Sequence, residues 1–325
     1  MKKYIIFGTG VIGTKAYKLL NHDLIYGFCD NNTHSAGDSY YGKPVFDAGF
    51  LEEIYNDDDY DVILATTKPK NIVQISRQLD RMSIPFVLLE DVAADMVHDE
   101  ARIYEGMNPP KTFCFSKDTE YIIPLERVDD AGVIGSYLWQ DLWAARHIIN
   151  NKPDLHYDIG SRLDGFITHL LSAGINVTML DIRPLPVHIQ GLRFLQTDAT
   201  KLQNIPDDSL DSISALCSLE HFGLGRYGDP IDPMACFKCF EAIQRKLRKD
   251  GYLYLSVPIG KEHLEFNAHR VFSPSTIVDS FNEMILLEFS SCMNEEYEEN
   301  IALDKYDGWD LYGGDRFGLF RFKKV

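Results

Sequence analysis

LHYDIGSRLDG, residues 155–165, is a short apolar strand that ends in an acid, Asp158, and passes Gly160 and Gly165 as the chain turns into a helix. A second strand, NVTMLD at 176–181, also ends in an acid, Asp181. GLRFLQTDAT at 191–200 carries Asp198 just past a third, and LDSISALCSLEH at 210–221 gives a fourth that ends on Glu220 and His221. A helix over 232–249 then leads into a fifth strand, GYLYLSVP, at 251–258. Acids and turn glycines at the carboxyl ends of successive strands predict an open α/β sheet with its ligand crevice along that rim.

The order of these groups restricts the ligand. A glycine turn lets backbone amides approach an anionic group at a helix N-terminus. A carboxylate ending the next strand can accept both hydroxyls of a ribose, and a third polar group one strand further reaches a purine amino group. Together they ask for a nucleoside with a small charged arm. The pattern resembles the class I S-adenosylmethionine-dependent methyltransferase superfamily, and HYDIGSRLDGFITHLL, CSLEHFGLGRYGDPIDP and NAHRVFSP look like a methyltransferase-like group within it. The resemblance covers about residues 130–280. It implies S-adenosylmethionine as cofactor, with its methionine end on the turn at Asp158 and Gly160, its ribose on Asp181 and its adenine on Asp198. The family turn has small residues where this chain places Arg162 and Asp164, so Asp164–Gly165 is expected to close a longer loop. Arg162 would then face the cofactor carboxylate. The competing reading is a degenerate loop that binds nothing.

The chain has 325 residues, 45% of them hydrophobic, enough for two ordinary cores. The expected division is a Rossmann-like domain over 1–99, a connector over 100–130 and a methyltransferase domain over 131–325. A net charge of −17 without a basic cluster makes nucleic acid and anionic membrane surfaces poor partners. Six scattered cysteines read as reduced thiols of a cytoplasmic protein, and the apolar run of MKKYIIFGTG stops at a glycine turn too early for a signal peptide. No segment approaches membrane-spanning length. Self-association is left open.

At the N-terminus, strand KYIIF leads into GTGVIG and a helix, and DLIYGFCD ends in Asp30. That is Gly-x-Gly-x-x-Gly in its required setting, with a phosphate over Gly8, Gly10 and Gly13 and a ribose on Asp30 as one reading. With about four strands, this segment resembles the small N-terminal domains of bacterial sugar acetyltransferases, which favours a nucleotide or nucleotide-sugar over NAD. The alternative is a scaffold whose glycines merely allow close packing. Residues 100–130, with GMNPPKTFCFSKDTEYIIPLERVDDAG rich in turn residues, read as an irregular connector. GSYLWQDLWAARHIINN, 135–151, predicts a helix with Leu138, Leu142, Ala145 and Ile148–Ile149 on one face, and Tyr137, Trp139 and Trp143 as candidates for stacking on a ligand or for the core.

After the fifth strand a capped helix begins at Ser273–Pro274. MILLEFSSCM and RFGLFRFKK read as a sixth and a seventh strand, the last antiparallel, completing a seven-stranded sheet. Between them, 294–315 is either a substrate lid or a solvated excursion. His221 is the leading general base for methyl transfer to a hydroxyl, with Glu220 or Asp229 to orient it and His269 as the alternative. FGLGRYGDPIDP supplies Arg226, Tyr227 and Asp229 as a substrate loop, and Asn267 and Arg270 approach from the other side. No compact ligand spacing supports a metal. Cys236 and Cys239 read as packing. The reading is an O-methyltransferase acting on a sugar or sugar-nucleotide, possibly in surface polysaccharide construction. Its competitors are a nicotinamide-dependent oxidoreductase built on the first glycine turn and a non-catalytic binding protein.

Overall fold

The computed structural model describes residues 2–32, 39–132, 134–186, 188–309 and 316–325. The chain falls into two compact units, Met1–Val133 and Ile134–Val325.

In the first unit, β1 (Lys3–Phe7) leads through the glycine turn into α1 (Val11–Leu19), followed by β2 (Ile25–Cys29). A two-strand excursion, β3 (Ser39–Tyr40) and β4 (Lys43–Phe46), precedes α2 (Ala48–Ile54), β5 (Tyr60–Leu64), α3 (Pro69–Arg81), β6 (Phe86–Leu88) and α4 (Leu89–Gly106). The sheet order is β3-β4-β2-β1-β5-β6, parallel except for β3. Six strands stand where the sequence suggested about four, because the G-K-P-V turn folds back as a hairpin and its second arm joins the sheet beside β2. Ile5, Ile6, Phe7, Val62, Ile63 and Leu64 are fully buried, as central parallel strands covered on both faces require. Helix α4 continues past residue 99, and Leu125 is buried in this unit's core.

The second unit opens with α5 (Ser136–Asn151), then β7 (His156–Ile159), α6 (Thr168–Ser172), β8 (Val177–Asp181), β9 (Leu192–Gln196), β10 (Leu210–Leu216), α7 (Ala235–Lys246) and β11 (Leu247–Pro258). The hairpin β12 (His263–Glu265) and β13 (His269–Val271) stands apart from the main sheet. Then follow α8 (Pro274–Ser280), β14 (Met284–Met293), β15 (Glu296–Glu298) and β16 (Phe317–Lys324). The sheet runs β15-β14-β16-β11-β10-β7-β8-β9. Strands β9, β8, β7, β10 and β11 are mutually parallel, and β16 is inserted antiparallel between β11 and β14. The expected seven strands are therefore joined by an eighth, because three residues after Met293 pair back on β14 at the sheet edge.

One sheet face is covered by an apolar cluster that includes Phe240, Ile243 and Phe281, the other by one that includes Trp143, Ile148 and Phe166. The buried face of α5 carries Gln140, Trp143, Ala144, Ala145 and Ile148, while Leu138 is exposed. Ala145 and Ile148 of the expected stripe are thus buried, with Ile149 packed against them, while at the start of the helix the buried face passes through Gln140 and Trp143 instead of Leu138. The physical reason is polar: Gln140 Oε1 accepts from Ser256 Oγ at 2.5 Å, and Trp143 Nε1 donates to buried Glu288 at 2.7 Å. A buried polar group has to be partnered, and these partners lie on the sheet. Among the described residues no helix is long and apolar enough to cross a membrane.

Candidate functional site

The sheet order reverses between β7 and β10, and a cleft of about 1610 Å³ lies at the carboxyl ends of the strands there. That exceeds the roughly 300–1,000 Å³ of an ordinary small-molecule site.

The glycine turn forms one wall. Asp158 is completely buried, and its carboxylate accepts from Ser161 N at 3.1 Å, Ser161 Oγ at 2.8 Å and Ser214 Oγ at 2.5 Å. Ser214 in turn bonds His156, whose other ring nitrogen bonds Ser212. Burial pushes the Asp158 carboxyl up to about 6, against the three donors, and holds the His156 imidazole down to about 3. Asp158 thus shapes the turn from beneath, and Gly160 carries it into the cleft. Gly160 has φ +75°, and a Cβ there would stand 3.0 Å from Ser218 Cβ, so only glycine sits there without strain. Ser218 also lines the cleft, and its buried Oγ has no hydrogen-bond partner among the described residues.

Beyond Ser161 the chain winds a wide π-type turn, Leu163–Ile167, with non-helical geometry at Gly165. Such turns recur at functional sites. A Cβ on Gly165 would lie 2.7 Å from Asp141 Oδ2. Arg162 lines the cleft, but its guanidinium is 86% exposed and paired with Asp164 at 2.7 Å. Before it could meet a cofactor carboxylate it must leave Asp164.

Asp181 ends β8 at the cleft. Its carboxylate accepts from Arg183 N at 2.8 Å, Nε at 3.0 Å and Nη2 at 2.7 Å. One Oδ2 lone pair remains for a hydroxyl, and a second hydroxyl displaces Arg183. Asp198 caps its own turn, accepting from Thr200 N and Oγ1 and pairing with Lys201 at 3.1 Å. Its carboxyl is lowered, since these bonds outweigh its partial burial.

The far wall is the loop after β10. His221 Nδ1 lies 2.6 Å from the Ala268 carbonyl. A carbonyl only accepts, so Nδ1 carries the proton and Nε2 the lone pair. Nε2 is 3.4 Å from Glu220 Oε1. Burial lowers the imidazole to about 4, so the ring is neutral near pH 7. His269 also lines the cleft, its ring 6.3 Å from that of His221. Arg226 donates to Ala268 O at 3.0 Å, and Tyr227 lies under the guanidinium of Arg183 at 4.5 Å. Asp229 does not orient His221 by a hydrogen bond. Its carboxylate accepts from Gly223 N and Tyr227 N and braces the loop. Arg270 donates to the carbonyls of Glu220, Phe222 and Pro233 and holds the same loop from below.

Of the three helix aromatics, only Tyr137 lines the cleft; Trp143 is core and Trp139 stacks on Tyr297. Cys236 and Cys239 are both core. The described part of 294–315 does not line the cleft: Tyr306 is buried against the sheet, and Arg316 stacks over it at 4.2 Å. The rest of that stretch, 310–315, lies outside the described residues. Sequence reasoning missed Asp141, a cleft carboxyl raised by burial. Its signal was a position one helical turn from Tyr137 on the same face.

In the first unit, Gly8 has φ +127° and a Cβ there would meet Ala65 O at 2.7 Å, while one on Gly13 would meet Gly8 O at 2.2 Å. Those two glycines serve close packing. Gly10 has no neighbour within 4 Å of a Cβ position and opens to solvent. Asp30 Oδ2 accepts from Thr9 N and Thr9 Oγ1, and Oδ1 from Asn32 N. The carboxylate therefore pins the turn, and a ribose there would compete with Thr9.

Residues 193–306 match a family described as Caenorhabditis protein of unknown function, DUF268. No curated protein matches the chain. Among solved structures, it is similar to the Burkholderia thailandensis 1,6-didemethyltoxoflavin-N1-methyltransferase with bound 1,6-didemethyltoxoflavin and S-adenosylhomocysteine (16% identity, 74% of this chain, 92% of that one, TM-score 0.42). Others are the N-methyltransferase NodS from Bradyrhizobium japonicum with S-adenosylhomocysteine (14%, 57%, 85%, 0.39) and a SAM-dependent methyltransferase from Methanosarcina mazei (18%, 55%, 97%, 0.40). At such identities and superposition scores, the fold assignment rests on the strand order of this chain and not on these likenesses.

Because Asp158 has a raised carboxyl, the folded state holds its proton more tightly than the unfolded chain. Its contribution is fully present below the unfolded value near 3.9 and is lost as pH rises through about 6. Asp158→Asn removes that titration. Relative to the parent, the variant should gain on the order of 2–3 kcal/mol between pH 4 and pH 8. Urea midpoints across that range measure it, and a constant difference would mean that the buried carboxyl does not titrate there.

Proposed function

We propose that the second unit is an S-adenosylmethionine-dependent methyltransferase that acts on a hydroxyl. The observation that carries this reading is the convergence of Gly160, Asp181 and Asp198 on one wide cleft at the switch point of the sheet. The bare backbone at Gly160 and the orphaned Ser218 Oγ beside it support a cofactor there. Asp141 and Asp158 at that end suit a cationic, ammonium-bearing ligand. In this reading Asp181 accepts the ribose, Asp198 meets the adenine, and Asp141 takes the ammonium. Bound there, S-adenosylmethionine supplies a methyl group on a sulfonium.

The chain's own part is positioning and proton removal. In-line displacement depends mainly on holding the acceptor oxygen against the methyl carbon. In a methyl transfer at this site, His221 Nε2 would take the acceptor hydroxyl's proton, and Glu220, 3.4 Å away, would steady the imidazolium. The Ala268 carbonyl fixes the tautomer that leaves Nε2 ready. A sugar or sugar-nucleotide as acceptor rests on the resemblance of the first unit, where the open Gly10 and the uncapped start of α1 support a nucleotide or nucleotide-sugar phosphate on the amides of residues 9–13.

Calorimetry with S-adenosylhomocysteine and with NAD tests the cofactor. The first should bind and the second should not displace it. Asp181→Ala should weaken binding by about 1.5–3 kcal/mol, roughly 10- to 150-fold; undiminished affinity would reject the ribose assignment.

His221→Asn keeps a donor for Ala268 O while removing the base. Turnover should fall by roughly 10²–10⁴ with cofactor affinity unchanged, and more than in His269→Asn. The acidic limb of the parent's rate profile should lie nearer pH 4 than 6.5, because only the neutral ring accepts a proton. A reversed order of the two variants in single-turnover assays would move the base to His269.

Gly10→Val has room for its side chain but covers the approach to the turn. Saturation-transfer NMR against a panel of nucleotides and nucleotide-sugars should give signals in the parent that the variant lacks. Silence throughout, with the fold intact, favours the scaffold reading.

A further inference from the structure

The cations of the cleft differ in one respect. Arg162 pairs with Asp164 at 2.7 Å, Arg183 with Asp181 at 2.7 Å, Lys201 with Asp198 at 3.1 Å and Lys238 with Asp232 at 2.6 Å. Arg226 pairs with no carboxylate among the described residues. It is nonetheless held in place: Nη1 donates to Ala268 O at 3.0 Å, the same carbonyl that accepts from His221 Nδ1, and the guanidinium rests over Tyr227 at 5.3 Å. The acid nearest in sequence, Asp229, is turned away onto the amides of Gly223 and Tyr227. In a chain of net charge −17, a fixed guanidinium without a carboxylate partner stands beside the nitrogen pair of the proposed base.

We propose that the acceptor carries an anionic group, a carboxylate or a phosphate ester, and that Arg226 holds it so that the nucleophilic hydroxyl reaches His221. This deepens the methyltransferase reading and rests on it. Acids lie on both walls, and those on the Arg226 side are engaged elsewhere, Asp229 on backbone amides, Asp232 on Lys238 and Glu220 at 3.4 Å from His221 Nε2. Asp141, Asp158 and Asp181 line or underlie the turn that would take a cationic cofactor, while Arg226 stands on the opposite wall. An anion entering so negative a chain needs one specific cation to outweigh the general repulsion, and a guanidinium binds carboxylate or phosphate through paired N–H donors. Among the described residues only Nη1 of Arg226 is engaged, by the Ala268 carbonyl, which leaves its other N–H groups for that role. Tyr227 adds a restraint, because the same ring also carries Arg183. A ribose hydroxyl that displaces Arg183 from Asp181 would leave a second guanidinium on the acceptor side. The anion site should therefore strengthen when the cofactor site is filled.

The test uses the full chain with ¹³C-labelled histidine, His221 being assigned through His221→Asn. Methyl phosphate and, separately, acetate are titrated with and without saturating S-adenosylhomocysteine, whose own binding is measured first by calorimetry. The expected result is a saturable shift of the His221 ring resonance with at least one anion, none with methanol, and tighter binding in the presence of S-adenosylhomocysteine. Arg226→Gln should weaken that binding about tenfold or more, Arg226→Lys should restore part of it, and Arg248→Gln, at a cation paired with Asp211 outside the cleft lining, should leave it unchanged. The better of the two anions identifies the group. A shift that never saturates, or that Arg226→Gln leaves as it was, overturns the proposal even if S-adenosylhomocysteine binds. Anion binding that depends on Arg226 without any affinity for S-adenosylhomocysteine supports the anion site and instead rejects the cofactor reading.

Discussion

The glycine-turn wall of the cleft depends on one buried carboxylate. Asp158 sits at the end of the central strand with no access to water, where an ionised group without donors would cost several kcal/mol. Ser161 supplies a hydroxyl and an amide from the turn itself, and Ser214 a hydroxyl from the neighbouring strand. Meeting the needs of that carboxylate fixes the path of residues 159–161, and Gly160 must then take a positive φ against Ser218. His156 extends the same polar chain to Ser212, so β7 and β10 are tied by side chains as well as by their ladder. A network of this kind gives a single arrangement because each buried member has few alternative partners.

From that turn outward, the cleft is organised by which ion pairs close upon themselves. Asp181 holds Arg183, Asp198 holds Lys201, and Asp164 holds Arg162, all within a few residues of sequence. These pairs are partly exposed and contribute little stability, which makes them exchangeable for a ligand's own polar groups. Across the cleft the loop after β10 is held differently. Arg270 bonds three backbone carbonyls there and Asp229 takes two backbone amides, so the loop that offers His221 and Arg226 has a fixed shape despite its three glycines. A cleft with an adaptable wall and a rigid one suits a reaction in which the acceptor must be positioned more strictly than the cofactor's edges.

The two glycine turns of the chain look alike in sequence and differ in chemistry. In the first unit Asp30 reaches back to Thr9, and two of the three glycines pack against backbone, leaving Gly10 as the open position. In the second unit the acid under the turn is one residue from β7's end, and the acid of the following strand, Asp181, opens onto the cleft. One turn is thus pinned by the acid of the following strand, Asp30, and the other from beneath by Asp158, which leaves Asp181 at the cleft with Arg183 as its partner.

The sequence by itself determined the order of the seven expected strands and of the helices that flank them from Ser136 onward, the acids at the ends of β7 and β8, and the rim on which His221 and Arg226 stand. Those features are local: alternation of apolar runs with turn residues sets where a strand stops, and an acid placed there can only lie at its end. Tertiary structure alone decided the rest. The eighth strand and the hairpin of β3 and β4 arise from chain reversals that only a neighbouring edge rewards with hydrogen bonds. Helix α5 turned its Gln140–Trp143 face inward because Ser256 and Glu288, more than a hundred residues away in sequence, offer the bonds that burial demands. For the same reason Asp141 entered the cleft unannounced, Asp229 left the base for the backbone, and Arg226 alone among the described cleft cations lacks an acid partner. Partnership between distant polar groups depends on distances that no one-dimensional spacing contains.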